Sequence, residues 1–341
     1  MTSIVASAPG KLVLLGEYAV LEGAPALALA VDRRARATLA PATDDAWEIV
    51  SPTFGVEARL RMDGAGAAWS DAAPDALAWV ATLLGQFHPG AHLPPCRVEL
   101  DSDAFHVEHA GKPAKLGLGS SAALAVALLG ALHAIAQKPA PTLDECVRTH
   151  RAIQHGHGSG IDIAASFSGG LLRYQLDGNA TRSVPARLPE GLRWRCVYSG
   201  RPASTRAMLA TVAGWRERDP AAFAHCMHEL ATISSRGIDA LAANDAAAFL
   251  SCLHDYATSL ARFGEAAGAD IASREHRAIA AIAADCGCVY KSCGAGGGDI
   301  GVTFAVEDTR LRDFSARALR AGFPVIGLEA DPTGLEVVSN V

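Results

Sequence analysis

Long apolar runs and an excess of positive charge are both missing from this sequence. No apolar run approaches the roughly 20 residues that a membrane-spanning helix needs, and residues 1–10 have no basic stretch followed by an apolar core. We therefore expect a cytoplasmic protein with no membrane partner. The formal net charge is −6, so no global field attracts nucleic acid, and any anionic ligand must be held by local groups.

Paired cysteine spacings are also absent. The eight cysteines are scattered along the chain, without the spacing of a zinc site or of a small disulfide scaffold, so we expect reduced and mostly buried thiols. Cys286 and Cys288 precede a strand-like run and are interpreted as core residues rather than as a redox pair. Aromatic residues make up only 6% of the chain, and their dispersed positions indicate packing rather than a function.

Apolar residues, in contrast, make up half of the 341 positions. Such a chain has ample material for a core, and its length favours two domains. Short strand-like runs fill the first sixty residues, with Pro9-Gly10 as a turn, and long alanine-rich helical patterns fill residues 203–263. A turn-rich stretch, 177–191, separates the halves. We predict an α+β fold with domains at 1–185 and 186–341.

A glycine loop, GLGSSAA at residues 117–123, runs directly into an apolar helical pattern. Glycine lets the backbone approach a phosphate, and the first N–H groups of a helix donate to phosphate oxygens. The hydroxyls of Ser120 and Ser121 can bind a phosphate oxygen or Mg²⁺. We interpret the loop as a phosphate cradle, although a glycine cap that serves packing alone is the alternative.

Two familiar nucleotide loops fit this segment poorly. A dinucleotide fingerprint needs a strand immediately before the glycines, whereas residues 108–115 are polar and contain Pro113. A P-loop of the form G-x-x-x-x-G-K-S/T needs a lysine that this loop lacks. A dinucleotide-binding fingerprint and an ordinary P-loop are therefore both excluded for this segment.

Two further segments look functional. The run CGAGGGD at residues 293–299 is so rich in glycine that its entropic cost needs a reason, either a closely approaching ligand or a tight connection between strands. The run PGKLVLLGEY at residues 9–18 places Lys11 at the head of an apolar strand. From there a long cationic side chain can reach into a cleft.

Together and in this order, the three segments resemble the GHMP kinase superfamily. The motifs are P-G-K-x-x-x-x-G-E, P-x-x-x-G-L-G-S-S-A-A and G-A-G-G-G, and they span nearly the whole chain. The resemblance implies a two-domain α+β fold, ATP and Mg²⁺ as cofactors, and phosphoryl transfer to a small molecule held between the domains. It leaves open whether the protein is a monomer or a homodimer.

Finer features resemble the phosphomevalonate kinase branch of that superfamily. They are Tyr18 where mevalonate kinases tend to carry histidine, the pattern from His150 to Gln154, the run GSGIDIAA at residues 158–165, and Asp299 after the last glycine run. The resemblance implies phosphomevalonate as the acceptor. A mevalonate kinase, another GHMP small-molecule kinase and a non-catalytic sensor of the same fold are the alternatives.

The resemblance also implies roles for individual residues. Lys11 and Asp162 match the catalytic lysine and aspartate of the family. The ATP-binding positions are Pro113, Gly117, Leu118, Gly119, Ser120, Ser121, Ala122 and Ala123, with Ser121 as the metal ligand. The substrate-binding positions are Lys11, Glu17, Tyr18, Ser159, Gly160, Lys291, Ser292, Gly294, Ala295 and Gly296.

The chain departs from the family pattern at two places. Arg151 stands where mevalonate kinases carry a Mg²⁺-binding glutamate, so we expect the metal to be held by Ser121, nucleotide phosphates and water. Residues 291–294 read KSCG where the family often has K-P-S-G, so the substrate-holding serine is either Ser292 or lost. A zinc cluster of His150, His155, His157 and Asp162 is disfavoured, because histidines on a glycine loop supply no fixed geometry.

Overall fold

The computed structural model describes residues 3–63, 66–70, 72–87, 93–154, 156, 158–178 and 180–340. The helices in these ranges are α1 Ala78–Phe87, α2 Ser120–Ile135, α3 Leu143–Ile153, α4 Ile161–Ser168, α5 Thr205–Arg218, α6 Pro220–Ala242, α7 Ala246–Ala267, α8 Arg274–Asp285 and α9 Asp308–Arg320. The strands are β1 Ser3–Leu15, β2 Ala26–Pro41, β3 Trp47–Ser51, β4 Val56–Asp63, β5 Gly66–Trp69, β6 Cys96–Asp101, β7 His106–His109, β8 Lys112–Lys115, β9 Leu171–Asp177, β10 Ala180–Ala186, β11 Arg193–Tyr198, β12 Val289–Ser292, β13 Ile300–Ala305, β14 Val325–Ile326 and β15 Glu336–Asn340.

The strands form two main sheets and one hairpin. The larger sheet has the order β10-β9-β2-β6-β3-β4-β5, with β1 paired to β2 and β15 paired to β1. The smaller sheet has the order β12-β13-β11-β14, and β7 pairs with β8 as a separate hairpin. The predicted α+β class is therefore confirmed.

The Pro9-Gly10 turn predicted from the sequence is wrong. Both residues lie inside the continuous strand β1, and the pairing of β1 with β2 shifts register between them. Such a bulge bends a strand and re-aims the side chains that follow it. Glycine is needed here because a Cβ on Gly10 would lie 2.9 Å from the Phe105 ring and 3.0 Å from the Leu118 carbonyl oxygen.

The turn-rich stretch 177–191 also differs from the prediction, since it contains β10. Among the described strands β10 pairs with β9 alone, and all its positions are exposed or half-buried, so its few apolar residues give no strand pattern. Pro185 is tolerated because the strand lies at the edge of the sheet. The chain passes from the larger to the smaller sheet directly after β10, while β15 returns to the larger sheet. The domain boundary at residue 185 stays a prediction.

Helix α2 is buried on almost every side from residue 120 to 133, as expected of a helix that is apolar all round. It packs against β1 and β2, and α4 packs against the same two strands. The N-termini of α2 and α4 both border one cleft. The packing of α2 and α4 on β1 and β2 thus brings the glycine loop at residues 117–123 and Asp162 close to Lys11 of β1.

The expected state of the cysteines agrees with the structure. All eight cysteines are free thiols, and Cys226 alone is only half-buried. Among the described residues, no helix is both long and apolar enough to cross a membrane.

Candidate active site

A cleft of about 480 Å³ brings together all three glycine segments. Residues from the segments 11–21, 115–121, 150–154, 158–162, 202–209 and 293–299 contribute to its walls, so both halves of the chain line it. These segments lie far apart in the sequence. Their meeting is the feature expected of a site that holds phosphates and a second small molecule.

The N-terminus of α2 forms one wall of the cleft. Gly117 and Gly119 have φ of 75° and 80°, a left-handed conformation that favours glycine. A Cβ on Gly119 would lie 3.0 Å from Cε of Lys11, so a larger residue would crowd both the loop and the lysine. Ser120 is buried and Ser121 is exposed, and both border the cleft. Free helix N–H groups and two hydroxyls here suit a bound phosphate chain.

Lys11 and Asp162 face each other across the floor of the cleft. The Lys11 Nζ lies 3.4 Å from an Asp162 carboxylate oxygen, and the side chains are 7% and 38% exposed. The backbone N–H of Lys11 donates to the Leu118 carbonyl at 2.8 Å, which ties the lysine to the phosphate loop. Asp162 lies in the first turn of α4, after Gly160 in the left-handed conformation. A buried ammonium beside an accessible carboxylate is suited to stabilising charge that is transferred between phosphates.

Asp299 connects the glycine segment at residues 293–299 with the phosphate loop at residues 117–123. One of its carboxylate oxygens accepts from the Ala203 N–H at 3.1 Å. The other packs so tightly against Gly117 that a Cβ there would lie 2.4 Å from it. Burial raises the pKa of Asp299, and the Ala203 hydrogen bond and the charges of Lys115 and Lys11 oppose the shift.

Glu17 and Lys291 form a buried ion pair beneath the cleft, with side chains 3% and 0% exposed. The Lys291 ammonium also donates to the Ser292 carbonyl at 2.7 Å. The second carboxylate oxygen of Glu17 has no hydrogen-bond partner within the described part of the chain. Burial raises the pKa of Glu17, and the charge of Lys291 opposes that shift.

Tyr18 connects the segment at residues 9–18 with the glycine segment at residues 293–299. Its hydroxyl donates to the Ala295 carbonyl at 2.6 Å, and its backbone has a φ of 60° that non-glycine residues seldom adopt. Its ring packs against Phe263. The Tyr18 ring thus holds the loop at residues 294–296 against the end of β1.

The structure separates the predicted site residues into two groups. Those that border the cleft are Lys11, Glu17, Tyr18, Gly117, Gly119, Ser120, Ser121, Ser159, Gly160, Asp162, Gly294, Ala295 and Gly296. Those outside its lining are Pro113, Leu118, Ala122, Ala123, Lys291 and Ser292. Pro113 lies exposed in the β7–β8 hairpin, and Ala122 and Ala123 belong to the core. The roles assigned to both groups stay predictions.

Several lining residues carry no predicted role. They include Lys115, His150, Gln154, Thr205 and Asp299. Lys115 lies directly before the phosphate loop, where an adjacent cation is a signal that could have been used. Thr205 begins α5 in the second half of the chain, and no local pattern connects it with the loops.

Arg151 cannot serve as a metal ligand, because a guanidinium carries only hydrogen-bond donors; its Nε donates to the Gly158 carbonyl at 3.2 Å. For the alternative zinc cluster, His155 and His157 lie outside the described residues. Within the described ranges, no three histidine, cysteine or acidic side chains converge on a metal position. The cleft offers oxygens for Mg²⁺ in the Ser121 hydroxyl and in the carboxylates of Glu17, Asp162 and Asp299, so the residues present fit the ion, and Ser121 as its ligand stays a prediction.

Comparison with known proteins gives a consistent picture. Residues 77–170 match the GHMP kinases N terminal domain. The chain is 30% identical to a phosphomevalonate kinase from Streptomyces sp. (strain CL190), over 88% of this chain and 89% of that one. It is 31% identical to a mevalonate kinase from Methanothermobacter thermautotrophicus, over 70% and 71%.

A solved structure shows the same fold. Streptococcus pneumoniae phosphomevalonate kinase in complex with phosphomevalonate and AMPPNP superposes with a TM-score of 0.78 at 20% identity, covering 96% of this chain and 99% of that one. The matched sequence domain agrees with the alignments, which cover 89% of the phosphomevalonate kinase and 71% of the mevalonate kinase. The chain belongs to the GHMP kinase family.

Proposed function

We propose that this protein is a phosphomevalonate kinase that converts ATP and (R)-5-phosphomevalonate into ADP and 5-diphosphomevalonate. In this reaction an oxygen of the acceptor phosphate forms a bond to the γ-phosphorus of ATP. The bond from that phosphorus to the β–γ bridging oxygen breaks, and ADP leaves with the electron pair. Transfer takes place in the cleft lined by the three glycine segments.

One observation carries the proposal: the Lys11 ammonium is held between the phosphate loop and Asp162. Its backbone is bonded to Leu118, and its Nζ lies 3.4 Å from Asp162. A Cβ on Gly294 would lie 4.0 Å from the same Nζ. A single fixed cation therefore faces the second and third glycine segments at once, which is where a transferring phosphoryl group needs compensation.

The acceptor is supported by the chemistry of the remaining cleft wall. Lys11 and Lys115 supply positive charge, while the apolar side chains of Val13, Val20 and Ile161 also border the cleft. Cations suit an anionic phosphate monoester, and methyl groups suit an aliphatic carbon skeleton. A small branched molecule with a phosphate at one end combines both properties.

Mg²⁺ would be held by the Ser121 hydroxyl, the phosphate oxygens of ATP and water. When bound, the metal ion neutralises phosphate charge and orients the phosphate chain. The chain's own contribution is to fix Ser121 at the start of α2 and to hold Lys11 and Asp162 beside Gly119 of the loop.

A mevalonate kinase is the second candidate, favoured by the 31% identity to the Methanothermobacter relative. In that reaction the acceptor is a neutral alcohol, and its hydroxyl proton has to be removed during transfer. Asp162 is accessible enough to accept a proton. The two candidates therefore differ in what they require of Asp162.

Measurement of ADP release with purified protein, ATP and Mg²⁺ separates the candidates. The acceptors would be (R)-5-phosphomevalonate and (R)-mevalonate, with ³¹P NMR to distinguish a diphosphate from a monoester product. We expect kcat/KM for phosphomevalonate to be higher by about 10²-fold or more, because a site built for a charged group rejects an analogue that lacks it. A preference for mevalonate would overturn the proposal, and Lys11→Met controls for contaminating kinases.

A further inference from the structure

Three histidines among the described residues are more than nine-tenths buried. His133, His150 and His276 are 7%, 7% and 3% exposed. Buried polar side chains are normally hydrogen-bonded, because water can no longer serve as their partner. Two of the three follow this rule.

His133 and His276 use both ring nitrogens. In His133, Nδ1 lies 2.5 Å from the Pro139 carbonyl oxygen and Nε2 lies 3.0 Å from a Glu145 carboxylate oxygen. In His276, Nδ1 lies 2.7 Å from the Tyr290 hydroxyl and Nε2 lies 2.9 Å from the Gly298 carbonyl oxygen. Neither ring borders the cleft. Both are satisfied structural residues.

His150 differs, because its ring nitrogens are not among the fully enclosed polar atoms that lack a partner in the described residues, and they keep access to the cleft. Neither of its ring nitrogens has a hydrogen-bond partner in the described part of the chain, and it is the member of the three that borders the cleft. Burial lowers the pKa of His150, and the nearby charge of Asp162 opposes that shift. A neutral imidazole carries one donor and one acceptor. The ring therefore presents two unused hydrogen-bonding groups in the wall of the site.

We infer that His150 is a specificity-determining residue that hydrogen-bonds to a hydroxyl or carboxylate oxygen of the phosphoryl acceptor. This inference rests on the proposed function and deepens it. Phosphomevalonate carries both kinds of oxygen at the end remote from its phosphate. A neutral ring with one donor and one acceptor matches a hydroxyl, and its donor alone matches a carboxylate.

The position of His150 favours the acceptor over the nucleotide. His150 lies in the last turn of α3, beside the segment at residues 158–162, whereas the phosphate cradle belongs to the N-terminus of α2. Phosphate chains are held by cations and helix N–H groups, and a neutral imidazole adds little to that. The imidazole of His150 is better suited to hydrogen-bonding with the uncharged or singly charged groups of the phosphoryl acceptor.

The test compares His150→Phe and His150→Gln with the wild-type enzyme. Phe keeps most of the ring volume without hydrogen bonds, and Gln restores a donor and an acceptor on a flexible chain. We expect His150→Phe to raise the KM for phosphomevalonate by about tenfold to hundredfold, the range for losing one hydrogen bond to a charged or strongly polar group. The KM for ATP should stay within about twofold, and His150→Gln should recover part of the loss.

Calorimetric titration of phosphomevalonate into each variant, without nucleotide, gives a readout independent of turnover. The dissociation constant should follow the same order as the KM. A 3-deoxy analogue and an analogue with the carboxylate replaced by a methyl group identify the contacted oxygen. For the correct analogue, His150→Phe and the wild type should bind equally.

His133→Gln is the matched control, because this ring is equally buried and fully bonded. It should lower the melting temperature and leave both KM values unchanged. The inference is overturned if His150→Phe only lowers the melting temperature in the same way, or if it raises the KM for ATP instead. Failure of wild-type enzyme to phosphorylate phosphomevalonate would instead refute the proposed function, so the two failures are distinguishable.

Discussion

At the scale of single residues, the charge of the acceptor decides what Lys11 and Asp162 have to do. A phosphate monoester has its second pKa near 6, so at pH 7 the attacking oxygen is largely deprotonated and needs no strong base. The larger obstacle is the repulsion between two phosphate groups. Lys11 is the buried cation beside the phosphate loop that can offset it.

We therefore expect Lys11→Met to lower kcat by about 10² to 10³, the loss typical of one preorganised electrostatic group. Asp162→Asn should lower kcat by no more than that, because the carboxylate then orients Lys11 rather than accepting a proton. Steady-state kinetics with phosphomevalonate at saturating ATP measure both values. If Asp162→Asn abolishes turnover while Lys11→Met keeps most of it, charge compensation by Lys11 does not explain the rate. That result would support a mevalonate kinase, which phosphorylates an alcohol.

Single residues also show how far the sequence predicts where site residues lie, while their roles stay predictions. Lys11, Asp162, Gly119 and Ser121 were all predicted at one site, and the structure brings all four to the same cleft. The glycine loops made this possible, since each is a local pattern with a local physical cost. The sequence marks His150 only as part of the pattern from His150 to Gln154, because the lack of a hydrogen-bond partner within the protein is visible only in three dimensions.

At the scale of elements, the start of α2 combines a helix N-terminus with a backbone that only glycine adopts easily. Gly119→Ala should both strain the left-handed φ of 80° and push against Lys11, whose Cε would lie 3.0 Å from the new Cβ. We expect the KM for ATP to rise about tenfold or more, and the KM for the acceptor to change much less. Initial-rate measurements with each substrate varied in turn decide this.

Gly268→Ala is the matched control for strain. Gly268 caps α7 with a φ of 71°, and nothing lies within 4 Å of the position its Cβ would take. That variant should lose about 1 kcal/mol of stability with no change in either KM. An unchanged KM for ATP in folded Gly119→Ala would reject this loop as the phosphate cradle.

The prediction of elements failed where polar or turn-forming residues lie inside strands. Pro9-Gly10 has the composition of a turn, yet the long pairing of β1 with β2 carries it as a bulge. Likewise β8, which contains Pro113, is a strand only because β7 pairs with it. In both cases the partner strand supplies hydrogen bonds that a one-dimensional pattern does not contain.

At the scale of the whole molecule, the least predictable contact is the one between Glu17 and Lys291. The sequence resemblance implies that both bind substrate, and that role stays a prediction; in the structure Lys291 is fully buried and pairs with Glu17. The two residues are 274 positions apart. One follows β1 of the larger sheet and the other lies in β12 of the smaller sheet, so the pair joins the two sheets beneath the cleft.

Such a pair is expected to matter more through the cost of breaking it than through its own attraction, because removing one partner leaves a buried charge uncompensated. Lys291→Met should therefore lower the free energy of unfolding by about 3 to 5 kcal/mol. The double variant Glu17→Gln/Lys291→Met, which removes both charges, should recover a large part of that loss. Urea unfolding of the wild type, both single variants and the double variant gives the coupling directly. Arg182→Met is the matched control, since both side chains of its pair with Asp177 are exposed. Loss of that pair should change the free energy of unfolding by less than about 0.5 kcal/mol.

A double variant no more stable than Lys291→Met would mean that packing around Lys291, rather than the paired charge, joins the two sheets.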